Sequence, residues 1–181
     1  MPIPDHRIAR AADLGRGLSI GLDEAHLALR EAYEDLSDEQ FHAYPVEGRQ
    51  NAVSIVMHVL QQHDRFNSHL ERRLRGREQL LLDQEERFDI GGAEPERLPG
   101  PEDEFPSVAE VVRAHRRLHE RLLENVEAAS DDDLASPGPG DRPRLSDILF
   151  CAVHHANAHT RQIWHLRGVM GAGGWPHQHC A

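Results

Sequence analysis

The chain has 181 residues, enough for one compact domain with its own core, and 20 basic against 31 acidic residues give a formal net charge of −11. A protein this acidic repels phosphate backbones and anionic membrane surfaces, so neither nucleic acid nor a membrane is an expected partner. All 20 basic residues are arginine, which removes P-loop, Schiff-base and kinase-type lysines together, and the two cysteines, Cys151 and Cys180, make no disulfide framework.

No apolar run approaches the roughly 20 residues that cross a bilayer, and the opening "MPIPDHRIAR" lacks the apolar stretch of a signal peptide, so a soluble, cytoplasmic protein is expected. Four segments carry helical periodicity and none alternates as a strand does. The first, from about Leu18 to Leu36, repeats Leu22, Ala25, Leu29, Ala32 and Leu36 on one side, and "SDEQF" and "YPVEGRQ" break it. The second, from about Asn51 to Arg75, aligns Ala52, Val56, Val59, His63, Phe66, Leu70 and Leu74, with Gly76 as its stop.

From Gly76 to Pro106 the pattern dissolves into a Gly-, Pro- and acid-rich connection in which Leu80, Leu81, Leu82 and Phe88 suggest partial packing. A link of that length can run the whole length of a bundle. The third helix opens at Ser107 and Glu110, which have capping-box spacing, and continues through Val111, Val112, His115, Leu118, Leu122 and Val126. "SDDDLASPGPGDRP" ends it, and the fourth runs from about Leu145 to Met170, where "GAGG" stops it. The expected architecture is one all-α domain over residues 1–181, a four-helix bundle threaded up-down-down-up. Residues up to about 15 form an N-terminal extension and those from about 172 onward a tail.

Histidine, with 14 copies, is the enriched residue able to do chemistry. In the last helix His159 falls on the apolar stripe with Leu149, Ala152, Ala156 and Ile163, while His155 and Gln162 flank it and also look inward. His154 and His165 fall in rows with Asp147, Arg161 and Ala158, which suit solvent. His155 and His159, four apart, place two imidazoles on one face about a turn apart, a spacing that lets both reach one ion. His115 and His119 share that spacing among arginines, so spacing alone does not make a site; core or boundary positions are the expectation for His26 and His115. In the second helix His58 and His63 lie roughly 140° apart around the axis and cannot face the same site. Periodicity favours His63 for burial and leaves the third ligand open.

"NAVSIVMHVLQQHDRF", followed after the long connection by "HHANAHTRQIWHLRG", resembles the DinB-like superfamily of metal-binding four-helix bundles, related to the DinB and YfiT proteins. The resemblance extends to "LSDEQF", "DDDL" and "GGWP" and covers most of the chain. Carried over position by position, it implies a metal held by His58, His155 and His159, with Gln162 behind the pair, and so selects His58 over His63. Thr160 and Arg161 depart from the Arg-Gly that commonly precedes that Gln.

Three neutral imidazoles leave a coordination position open, as in catalytic rather than structural zinc sites, and suit zinc or nickel, with iron as a further option. The resemblance implies a metal-dependent transferase that activates a low-molecular-weight thiol, or else a hydrolase using metal-bound water; a non-enzymatic metal-binding or stress-response bundle is the third reading. It also implies a homodimer. Arg161, Arg65 and Gln162 are the candidate anchors for a small-molecule thiol, with His63 as a further residue near the pocket. A hydrolase needs a base near the ion, and Asp64, six positions after His58, lies on a different face. Cys151, one turn before His155, is expected as a small buried residue, Trp164 and Trp175 as packing, and "WPHQHCA" as a frayed tail.

Overall fold

The computed structural model describes residues 6–46, 50–82, 105–138 and 144–174, with side chains from residue 14 onward. Among them it is all-helical, with no strand. Four long helices, α1 (His6–Glu31), α3 (Ala52–Arg75), α4 (Val108–Ala128) and α6 (Leu145–Met170), are joined by two short ones, α2 (Asp38–His42) and α5 (Asp131–Ala135).

Local chemistry sets most of the ends. Ser37, Ser107 and Ser130 each cap a helix with a reciprocal box, closed by Gln40, Glu110 and Asp133 respectively. Gly76 and Gly171 terminate α3 and α6 in the left-handed conformation, at φ 71° and 70°, where a Cβ would be strained. The first helix differs from expectation at both ends. It starts at His6, inside the expected N-terminal extension, on an Ala- and Arg-rich stretch with high helix propensity. It finishes at Glu31 because the next residues tighten into turns, with the Tyr33 amide bonded to the Arg30 carbonyl and Leu36 to Tyr33. "SDEQF" and "DDDL", expected only as breaks, form α2 and α5.

Helix α1 packs against α4 and α6, and α3 packs against the same two. Contacts between α1 and α4 run Ser19 to Glu127, Asp23 to His119 and His26 to His115. Those between α3 and α6 run His58 to His159 and His63 to His155. Between α1 and α6, Val153 stands opposite Gly21 and, just past the end of α1, the Ala32 carbonyl accepts from Arg167. Arg167 is buried; it donates to both carboxylate oxygens of Asp35 and, at 2.9 Å, to the Ala172 carbonyl, and it lies over the Trp164 ring at 4.7 Å. Trp164 is therefore a packing residue, as expected, while Trp175 lies outside the described residues.

The core has two apolar clusters. One gathers Leu29, Tyr33, Phe41, Val56, Met57, Leu60 and Leu118, the other Leu18, Leu22, Leu70, Leu122, Leu134 and Leu149. Full burial of each large side chain contributes roughly 1.5–3 kcal/mol. His26, His63 and His119 sit where one cluster gives way to the other along α1, α3 and α4. The start of the long connection is tied to α3: buried Asp64 accepts hydrogen bonds from the Leu81 and Leu82 amides, the latter at 2.8 Å, and Leu82 is buried. Phe88 lies outside the described residues.

Candidate metal centre

The start of α3 is held by Asn51, whose side-chain oxygen accepts from the Ser54 amide at 3.0 Å while its amide nitrogen donates to the His42 carbonyl at 3.0 Å. That anchor fixes where α3 begins, and the helix carries His58 to the side facing α6. On α6 the i, i+4 spacing of His155 and His159 meets it. His155 Nε2 lies 3.1 Å from His58 Nε2, and one nitrogen from each of the three rings lies within 4.8 Å of the others. The ring centroids are 4.9 Å apart for His58 and His155, 5.1 Å for His58 and His159, and 4.5 Å for His155 and His159.

Three nitrogens bound to one ion at roughly 2.0–2.1 Å in a tetrahedral arrangement stand about 3.4 Å apart. The rings therefore need only small rotations to meet an ion. His155 and His159 are half-buried and His58 is more open, so the cluster is backed by the bundle and faces solvent on its outer side.

Protonation also favours free lone pairs here. Burial, followed by the neighbouring His159 and His58 rings, pushes His155 down to about 4. His58 is lowered by burial first, then by His159 and Arg65. Both rings are neutral at pH 7, the form that ligates. His159 Nδ1 lies 2.8 Å from Gln162 Oε1 and, because an amide oxygen only accepts, Nδ1 carries the proton and Nε2 keeps its lone pair.

His154, His165 and Arg161 are exposed, and so is Arg65. His63 is fully buried behind the cluster and its ring lies 5.7 Å from that of His155. Periodicity thus located the buried histidine of α3, and the edge position is the one that meets His155 and His159. Asp64, with its carboxylate spent on the two connection amides, stands apart from the cluster, and no carboxylate belongs to it among the described residues. Cys151 is half-buried rather than buried, and the His177, His179 and Cys180 tail lies outside the described residues. Two features escape sequence reading. Arg167 is a buried cation whose partner, Asp35, is far away in the chain. His26, His63 and His115, legible one by one as core positions, converge from three helices.

Fold and site together define a class, an all-helical bundle with three imidazoles converging between two of its long helices. The chain belongs to the DinB superfamily, whose family model matches residues 22–163, a span that takes in His58, His155, His159 and Gln162. A comparison with curated proteins finds no match. No helix among the described residues is long and apolar enough to cross a membrane.

Proposed function

We propose that His58, His155 and His159 hold a divalent metal ion, zinc or nickel before iron, and that the protein is a metal-dependent transferase acting on a low-molecular-weight thiol. One observation carries the reading: one nitrogen from each of three imidazoles within 4.8 Å of the others, open on one side to solvent, with no carboxylate among them in the described residues. An ion held by His58, His155 and His159 would keep its full charge, because the three imidazoles are neutral ligands, and would supply a Lewis acid that favours the thiolate form of a small thiol at neutral pH.

The composition of the site favours a thiol over water as the activated group. Hydrolysis by metal-bound water gains from a carboxylate base beside the ion, and Asp64, the nearest in sequence, is committed to the Leu81 and Leu82 amides. A thiol, far more acidic than water, needs no such base. His58, His155 and His159 bind, and Gln162 orients His159. Arg65 and Arg161, both exposed, are in the right part of the chain to meet carboxylates of a thiol cosubstrate.

The order of helix contacts supports the up-down-down-up threading: numbering rises together along α1 and α6 and runs oppositely across α1 and α4 and across α3 and α6. A cytoplasmic homodimer completes the reading. Ile20 and Phe150, both half-exposed, neighbour the Gly21 to Val153 contact of α1 and α6 and are suitable anchors for a second copy.

The test is consumption of a small thiol with a chloronitroarene electrophile by purified protein, stripped with chelator and then reloaded with zinc or nickel. Turnover that appears only on reloading and disappears in His155→Ala supports the transferase. Stoichiometric metal with no thiol turnover but metal-dependent ester cleavage would replace it by the hydrolase. Metal with neither activity would leave a binding module.

A further inference from the structure

Behind the cluster lies a second set of rings that the metal reading leaves unused. His63 Nδ1 is 2.9 Å from His26 Nε2, His26 Nδ1 is 2.8 Å from His115 Nε2, and His115 Nδ1 is 2.8 Å from the Tyr33 hydroxyl. All four side chains are fully buried. His26 and His115 use both ring nitrogens; His63 Nε2, at the near end, is buried without a hydrogen-bond partner. His155 Nδ1 is in the same condition, while its Nε2 points at His58. The two rings that own these nitrogens lie 5.7 Å apart, tilted by 45°.

Two adjacent buried nitrogens that each lack a partner cost free energy, and each can satisfy the other after a small ring movement. The Ala152 carbonyl also faces His63 and has a second lone pair, so it is the competing partner when His63 Nε2 carries the proton, whereas a lone pair on Nε2 can be met only by a donor such as His155 Nδ1–H. We propose that His63 is the hydrogen-bond acceptor that orients the metal ligand His155, and that His26, His115 and Tyr33 behind it fix its tautomer. This role rests on the metal centre proposed above.

Proton counting gives the chain a single direction. A neutral imidazole has one N–H and one lone pair, so rings bonded in series all point the same way. A metal on His155 Nε2 leaves the proton on Nδ1, which then donates to His63 Nε2. His63 Nδ1–H donates to His26 Nε2, His26 Nδ1–H to His115 Nε2, and His115 Nδ1–H to the Tyr33 oxygen. The ligand is thus held by groups from α3, α1 and α4 in turn. His63 is a positioning residue, and it is built into the core rather than the pocket.

Zinc affinity and histidine 15N chemical shifts test this together. In His63→Leu, zinc affinity is expected to fall about 10- to 100-fold. In His63→Gln, whose amide oxygen can accept from His155 Nδ1–H, most of it returns. In the zinc-loaded unaltered protein the 15N shifts of His63, His26 and His115 should report Nδ1–H tautomers, and Tyr33→Phe should relax His115 toward a mixture. Should His63→Leu not fold, the shifts and Tyr33→Phe decide the matter alone. A proton on His63 Nε2 in the zinc-loaded protein would mean that it donates to Ala152 instead, and would overturn the proposal, as would equal zinc affinity in His63→Leu and the unaltered protein. No zinc uptake by the unaltered protein overturns the metal centre itself, and this role with it.

Discussion

Gln162 Oε1 accepts a hydrogen bond from His159 Nδ1 at 2.8 Å, one turn along α6, and this contact leaves the lone pair of His159 on Nε2. Gln162 is otherwise exposed, so its removal should cost little stability. In Gln162→Ala, metal affinity is expected to drop about tenfold with an unchanged melting temperature of the metal-free protein, read by competition with a chromophoric chelator and by circular dichroism. Unchanged affinity would show that the contact does not set the tautomer.

The four histidines of α6 separate into two kinds. His155→Ala or His159→Ala should each abolish stoichiometric metal binding, and so should His58→Ala from α3. His154→Ala and His165→Ala, both on exposed positions, should bind metal as the unaltered protein does. Elemental analysis of the purified variants checks all five, and equal metal loss in His154→Ala would show that the inward face of α6 is misassigned.

Asp64 is an anchor of the chain, not a base. Its carboxylate takes the amides of Leu81 and Leu82, at 2.9 and 2.8 Å, and is itself buried. Asp64→Ala leaves those amides without their acceptor, which costs on the order of 2 kcal/mol or more of stability. Metal affinity should be unaffected. Urea denaturation and metal titration of the same sample separate the two effects, and a large loss of metal affinity in a folded Asp64→Ala protein would return this residue to the site.

The buried rings make the metal-free protein acid-labile. Burial foremost, then His63, His115, His119 and Arg30 for His26, and His119, His63 and Arg30 for His115, hold these two rings well below the ordinary histidine value. Both remain neutral in the fold when they would already be protonated in the unfolded chain. The unfolded state then binds more protons, so stability is fully present above about pH 6.5 and is lost as pH falls below it toward the folded-state values. Melting temperatures between pH 8 and 4.5 should be flat at first and then fall, and His26→Phe, if it folds, should weaken the slope. A flat profile down to pH 4.5 would contradict the buried neutral rings.

Much of the site could be read in the chain. The periodicity of Leu149, Ala152, Ala156 and Ile163 separates His155 and His159 from His154 and His165, and all of those stripe residues are buried. The capping signals of Ser107 with Glu110, and of Gly76, mark helix ends where they occur. Periodicity also singled out His63 as the buried histidine of α3, correctly, but burial and ligation are different demands. The residue that meets His155 and His159 has to face a neighbouring helix at the edge of the core, and an edge position such as His58 carries no periodic signature. Family resemblance supplied it.

What this sequence determined by itself is local: which segments are helical, where caps and glycines end them, which face of each turns inward, and the pairing of His155 with His159 four residues apart. These follow from a 3.6-residue repeat and from hydrogen bonds within a few positions. Tertiary structure alone decided what meets across helices. His58 beside His155, His63 bonded to His26 and His26 to His115, and Arg167 on Asp35 join residues distant in the chain. The rotation and axial offset of one packed helix against another come from the fit of many side chains at once, and no single segment contains that information.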